Sequence, residues 1–438
     1  MNRDRNARGR PKVRKSRSAK SADWAFHAHD DDVLAALAAG EHAASLREYF
    51  GAPAYAELSL LAVAAREATQ GGRIAKSRKR RVLILPGIMG SKLGLASEVL
   101  WIDPLQISAG RLTALSLPSR LAIKAKGVLL FSYARLKLKL LIDGCDADFH
   151  PYDWRRGIDE LGVELAARIV AERRPVVLVG HSMGGLLARS AMRHLHKRWV
   201  RRLIMLGVPN AGSFAPVQAL RGTYPFVRKL STLDRKNSAE LLTEKVFCTF
   251  PGLYHMLPSP KFVKAVDLFD ARAWPADGPL PDERLLRHVM KVRAGLAPVD
   301  SRMTHIIGVN QETVTGLRVS GGGFEYAMDL NGDGTVPLAC AKLPKLKSFF
   351  VDESHADLAN NSRVILAVID LVRRGRTHKL PRQWRAKSGV TRRTDDAQLR
   401  MESAAKIDWL RLTPTQREGV FADLDSGRLL PAAAHPLA

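Results

Sequence analysis

Short apolar runs alternating with stretches of helical period dominate the middle of the chain. Val82–Leu85, Val176–Val179, Leu203–Leu206, 304–310 and Leu346–Val351 are each short, aliphatic or β-branched. Such runs suit strands buried on both faces. Between them, 159–173 repeats apolar residues at helical spacing, with Leu161, Val163, Leu165, Ala166 and Ile169 predicted inward. A second helix is predicted from Leu186 and a third up to about Arg373. Strand–helix alternation of this kind predicts a mostly parallel sheet flanked by helices, an α/β fold.

Other stretches break that rhythm. Residues 30–69 read as two or three alanine-rich helices, and 136–142 fits a helix face or a strand equally well. Residues 92–142 carry enough apolar surface to cover a pocket, so a lid fits there, and so does an ordinary packed excursion. Residues 214–302 hold Pro225, Pro251, Pro258, Pro260, Pro275, Pro279 and Pro281 among short helical pieces, and read as a helical cap insertion. A hairpin is predicted over 313–328, turning at Gly321–Gly323. The expected organisation is a disordered basic arm at 1–22, a helical segment and basic linker at 23–79, a main domain at 80–375, and a basic extension at 376–438. One amphipathic helix is expected near 413–424.

Charge changes the picture only at the margins. The chain carries a net +26, but residues 1–20, 73–81 and 373–393 supply +8, +6 and +9 of it. The folded body is therefore close to neutral, which argues against a nucleic-acid-binding domain. The basic runs fit solvated arms or contact with an anionic membrane surface. Cys145, Cys248 and Cys340 are odd in number and widely spaced, so reduced structural cysteines are expected. No signal-peptide h-region follows the basic N-terminus and no run is long enough to span a bilayer. A cytoplasmic protein, with or without membrane association, is the expectation.

The candidate chemistry starts at Gly180-His-Ser-Met-Gly184, a G-x-S-x-G sequence placed between a strand and a helix. That context makes it a nucleophile elbow, with Ser182 exposed on a strained turn. A serine hydroxyl needs a base in reach and a carboxylate to orient it. Asp333 and His355 follow in the required chain order, each in a loop after a strand; Asp329 competes with Asp333. His181, beside the nucleophile, cannot reach around to it. The backbone amides of Ile88, after the first strand, and of Met183 are the expected oxyanion donors. Asp329-x-Asn331-x-Asp333-Gly334 also resembles the start of a calcium loop, but its twelfth position is Cys340 where a bidentate Glu is needed. Neither a metal nor a cofactor is expected.

The set Leu85-Pro-Gly-Ile-Met-Gly-Ser91, Pro151-Tyr-Asp-Trp-Arg155, Gly180-His-Ser-Met-Gly-Gly185, Gly207-Val-Pro-Asn-Ala-Gly-Ser213, Gly332-Asp-Gly-Thr-Val-Pro337 and Ser354-His355 resembles the lecithin:cholesterol acyltransferase-type branch of the α/β-hydrolases. It spans roughly 80–375. The resemblance implies Ser182 as nucleophile, Asp333 as orienting acid and His355 as base, and supports the Ile88 and Met183 amides as oxyanion hole. Tyr152, Asp153, Trp154 and Arg155 read as a structural corner. The expected activity is hydrolysis of a lipid or other acyl ester through an acyl-enzyme. The alternative is acyl transfer to an alcohol; a rival of another class is a non-catalytic scaffold binding polyanions through its basic arms.

Overall fold

The five apolar runs and the short segment Asp146–Phe149 become one sheet. In the computed structural model, which describes residues 23–70, 79–387, 389–401, 406–413 and 416–417, its strands are β1 (Arg81–Leu85), β2 (Asp146–Phe149), β3 (Val176–His181), β4 (Val200–Leu206), β5 (Met303–Val309) and β6 (Lys347–Asp352). Every neighbouring pair is parallel, in the order β6-β5-β4-β3-β1-β2. β3 and β5 are buried at every position, as strands covered on both faces must be.

The order matters for function. The chain steps from β1 out to β2, then crosses back over β1 to β3 and continues away. Right-handed crossovers then put helix Leu130–Ile142 on one face and helices Ile158–Ala171 and Met183–Arg193 on the other. Helices 158–171 and 183–193 pack together, while 130–142 meets the closing helix Ser362–Arg374. The carboxyl ends of β1 and β3 therefore flank the topological switch point, where open parallel sheets bind ligands.

Several expectations change here. Val163 points to solvent at 53% exposure, while Leu161, Leu165 and Ile169 are buried; residue 163 lies on the opposite side of a 3.6-residue turn from 161. Residues 136–142 belong to a helix that flanks the sheet, so the stretch 92–142 is not a lid throughout. Its first part instead forms a three-stranded antiparallel sheet of Ser91–Gly94, Val99–Trp101 and Lys124–Val128. Residues 207–302 contain helices and no strand among the described residues. Pro216, Pro225, Pro251 and Pro260 each sit in a helical first turn, where a missing N–H costs nothing. Of the seven prolines that broke the periodic pattern, Pro225, Pro251 and Pro260 are helix starts.

The helices before β1 are pinned to the body. Asp30 pairs with Lys92 at 2.9 Å and accepts the Val128 amide at 2.8 Å, and Tyr49 accepts the Leu130 amide at 3.2 Å. The hairpin Thr313–Ser320/Gly323–Asp329 turns at Gly321 and Gly322, with φ of 56° and 84°.

The extension beyond 375 is not separate from the body. Phe350 in β6 donates its amide to the Pro381 carbonyl at 2.9 Å. Arg392–Asp395 adds a third, antiparallel strand to the hairpin. Asp396 is buried against Arg221 of the helical stretch 207–302 at 3.0 Å. Five of the nine lysines and arginines in 373–393 are ion-paired: Arg373, Arg374, Lys387, Arg392 and Arg393. The basic arm at 1–22, the linker at 71–78 and most of the helix expected at 413–424 lie outside the described residues. Among the described residues no helix is long and apolar enough to cross a membrane.

Candidate active site

Ser182 sits at the abrupt end of β3, with φ 52° and ψ −125°, a backbone conformation L-residues avoid. The glycines around it are there for space. A Cβ on Gly180 would lie 2.7 Å from the Gly185 backbone, and one on Gly184 would lie 2.5 Å from the Leu85 and Pro86 carbonyls. Only glycine lets the elbow helix start this close to β1.

The structure brings Asp333 and His355 together. The Asp333 carboxylate takes His355 Nδ1 at 2.8 Å through one oxygen, and the Thr335 and Val336 amides at 3.0 and 2.7 Å through the other. The His355 amide donates to the Asp333 carbonyl at 2.7 Å. Asp333 is 1% exposed, so its orientation is fixed by three donors and by burial. Asp329 does not compete: it accepts from the Asn331 amide and the Thr315 hydroxyl. The carboxylates of the calcium-like run thus face different partners.

Ser182 and the Asp333–His355 pair meet across one peptide. The Ser182 amide donates to the Leu206 carbonyl at 2.9 Å. The next residue, Gly207, has φ 55°, and a Cβ on it would lie 3.0 Å from both Asp333 Oδ2 and His355 Nδ1. Among the described residues no hydrogen bond joins the Ser182 hydroxyl to the imidazole. Ser182 itself is buried, at 6% exposure.

The turn after β1 is bolted down by aromatic side chains. Tyr152 donates to the Pro86 carbonyl at 2.7 Å, and Trp154 Nε1 to the Ser91 carbonyl at 3.0 Å. The Gly87 amide is taken by the Tyr133 hydroxyl at 2.9 Å. The Ile88 amide has no hydrogen-bond partner among the described residues, and Met183 is the first residue of its helix, where amides lack an intrahelical acceptor. Arg155 is held by Asp153 at 2.8 and 2.6 Å; the corner 151–155 is thus a brace for the turn. Sequence reasoning missed Tyr133, whose stretch has no decisive period, and Gly207, whose need for a positive φ no pattern announces.

One cluster elsewhere could be asked to hold a metal. Ligand atoms of Asp159, His255 and His288 lie within 4.8 Å of one another. His255 Nδ1, however, accepts the Ile158 amide at 3.1 Å, and burial pushes the ring's pKa down to about 4. The neutral ring then carries its proton on Nε2. Binding a cation there would force that proton to Nδ1, facing another N–H, so the set does not fit a metal.

The alpha/beta hydrolase family profile matches residues 82–315, just over half of the chain. Over 136 residues the chain is 31% identical to the lysosomal phospholipase A and acyltransferase of Bos taurus, covering 28% of this chain and 32% of that one. The match therefore spans about a third of that relative's length. Among solved structures, a chain of the Tle4–Tli4 complex is similar at 13% identity and a TM-score of 0.47, over 68% of this chain and 100% of that one. The Bacillus licheniformis lipase BlEst2 is similar at 17% identity and a TM-score of 0.36, over 67% and 92%.

Proposed function

Because the chain belongs to the alpha/beta hydrolase family, we propose that it is a serine hydrolase of acyl esters, with a lipid or other long-chain ester as substrate. The observation that carries this reading is the convergence, on Leu206–Gly207, of the strained Ser182 elbow and the Asp333–His355 pair. Ser182 Oγ attacks the ester carbonyl carbon as His355 Nε2 takes its proton. Asp333 stabilises the imidazolium, and the Ile88 and Met183 amides receive the oxyanion. The carbonyl re-forms, the alcohol leaves with the proton from His355, and water then releases the acyl group by the same steps. Proton transfer needs an Oγ–Nε2 contact of ~2.6–3.2 Å, which such sites commonly tighten only with substrate bound.

Acyl transfer to an alcohol is a second reading, favoured by the burial of Ser182, since a dry site lets a bound alcohol compete with water. The name of the Bos taurus relative, which includes both activities, supports carrying both. Contact with an anionic membrane is a weaker reading than the raw charge of 373–393 suggests, because five of its nine cations are ion-paired.

Labelling by a fluorophosphonate tests the nucleophile. The intact protein should label and Ser182→Ala should not, with ester turnover falling up to ~10⁶-fold. No labelling of the intact protein, or undiminished labelling of Ser182→Ala, refutes the enzyme reading and leaves the scaffold. Single-turnover assays with and without alcohol acceptors, following the acyl group, separate hydrolysis from transfer.

A further inference from the structure

We propose that Tyr133 and His181 form a positioning pair that ties the turn carrying the Ile88 amide to the loop carrying His355. The inference rests on the hydrolase reading above and adds to it two side chains that touch no reacting atom.

The contacts form one unbroken chain. The Gly87 amide donates to the Tyr133 hydroxyl at 2.9 Å, that hydroxyl meets His181 Nδ1 at 2.9 Å, and His181 Nε2 meets the His355 carbonyl at 2.9 Å. Chemistry fixes the direction of every bond. A carbonyl only accepts, so His181 Nε2 carries a proton. The ring is buried, at 7% exposure, and burial pushes its pKa down to about 3, so it is neutral and Nδ1 must accept. Tyr133 then donates to Nδ1 and uses its oxygen to accept from Gly87. No member can reverse its role without leaving a buried donor facing a donor.

The geometry around the chain is tight. A Cβ on Gly87 would lie 3.1 Å from Ser182 Cβ and 3.3 Å from His181 Nδ1, so turn, nucleophile and ring are in mutual contact. The His181 and His355 rings lie 4.9 Å apart. His181 is the last residue of β3 and cannot move without moving Ser182. Both the oxyanion turn and the His355 loop are thereby referred to the rigid end of β3. This gives His181 a role that adjacency to the nucleophile alone does not.

The test uses the full chain, with a soluble ester and fluorophosphonate labelling, and the variants Tyr133→Phe, His181→Phe, His181→Gln and the Phe/Phe double. Each Phe variant should lower kcat and the labelling rate about 10–100-fold with KM within about threefold, the scale of ångström misplacement. The double should lose no more than the worse single, because both cut the same chain. His181→Gln, which keeps one donor and one acceptor, should retain more activity than His181→Phe. Wild-type labelling rates in the Phe variants, or losses that multiply in the double, overturn the inference. If the wild-type protein does not label at all, the hydrolase reading itself has failed. Should the variants not fold, nitrogen NMR of ¹⁵N-histidine-labelled wild-type protein decides. A neutral Nε2–H ring for His181 from pH 6 to 8 supports the chain; an Nδ1–H ring or titration near pH 6.5 overturns it.

Discussion

Replacing Asp396 by alanine should destabilise the fold out of proportion to its place near the end of the chain. Its carboxylate accepts from Arg221 Nε at 3.0 Å, the Tyr326 hydroxyl at 2.7 Å and the Phe324 amide at 3.1 Å. Arg221 is 0% exposed, and its remaining nitrogens donate to the carbonyls of Pro275 and Pro279 at 2.8 and 2.9 Å and to that of Asp277. Those carbonyls cannot neutralise it. Removing one partner of a buried pair typically costs ~3–5 kcal/mol, since the other charge stays buried and unpaired. With an unfolding entropy of about 2.1 cal/mol/K per residue over roughly 400 residues, that is a drop in Tm of about 4–6 °C. Scanning calorimetry of Asp396→Ala reads it directly. Asp396→Asn should fall between, because its oxygen still accepts while the charge is gone. Adding Arg221→Met to Asp396→Ala should recover part of the loss, since the stranded cation is then removed. A Tm for Asp396→Ala within about 1 °C of wild type, or a double variant worse than the single, would refute the reasoning.

Acid should destabilise the protein well above the carboxylate range. His181, His255 and His305 are buried, and burial lowers their pKa values to about 3, 4 and 3. The unfolded chain takes up protons as pH falls through 6.5 while the folded chain does not, so stability is lost on going down from 6.5. That amounts to about 2 kcal/mol per histidine at pH 5, and urea titrations should show unfolding free energy falling from pH 7.5 to 5; a flat profile contradicts it. Gly207→Ala should cut ester turnover by about 100-fold or more, because its Cβ would press on the Asp333–His355 pair at a positive φ; turnover near wild type would show that the pair tolerates displacement. Cys145, Cys248 and Cys340 are all buried, and burial raises their pKa values to about 11, 12 and 12. A thiol reagent should find none of them until the chain is denatured, and rapid reaction of any one in native buffer would count against that burial.

What could be read from the sequence was what is local. Val176–Val179 and the glycines after it specify a buried strand that must stop at once, because a side chain at 180 or 184 has nowhere to go. The residue pattern alone left Asp329 competing with Asp333, and the resemblance pointed to Asp333. The two carboxylates lie four residues apart, and the fold shows that Asp333 has an oxygen turned toward His355. Leu136–Ile142 was ambiguous because lysines alternate with leucines at a strand-like period. In the fold those residues lie on a helix wedged between the sheet and the N-terminal helices, and even Lys137 is buried, paired with Asp31 at 2.9 Å. The tail was only partly legible for a related reason. Charge density suggests solvation, but five of the nine cations of 373–393 find acids scattered from 143 to 370, and apart from Arg374 with Asp370 these lie at separations no local window can see. Tyr133 illustrates the same limit within the site: its value lies in one oxygen meeting two partners, at 87 and 181.

The bond between Arg221 and Asp396 joins residues 175 positions apart, and translation delivers them in that order. At ~5–20 residues per second, the guanidinium exists for roughly 10–35 s before its counter-charge is made. During that interval the cation must stay hydrated, so the helices of 207–302 cannot close over it. All six strands of the sheet are made before that layer can shut around Arg221, and the closing contact comes from Asp396.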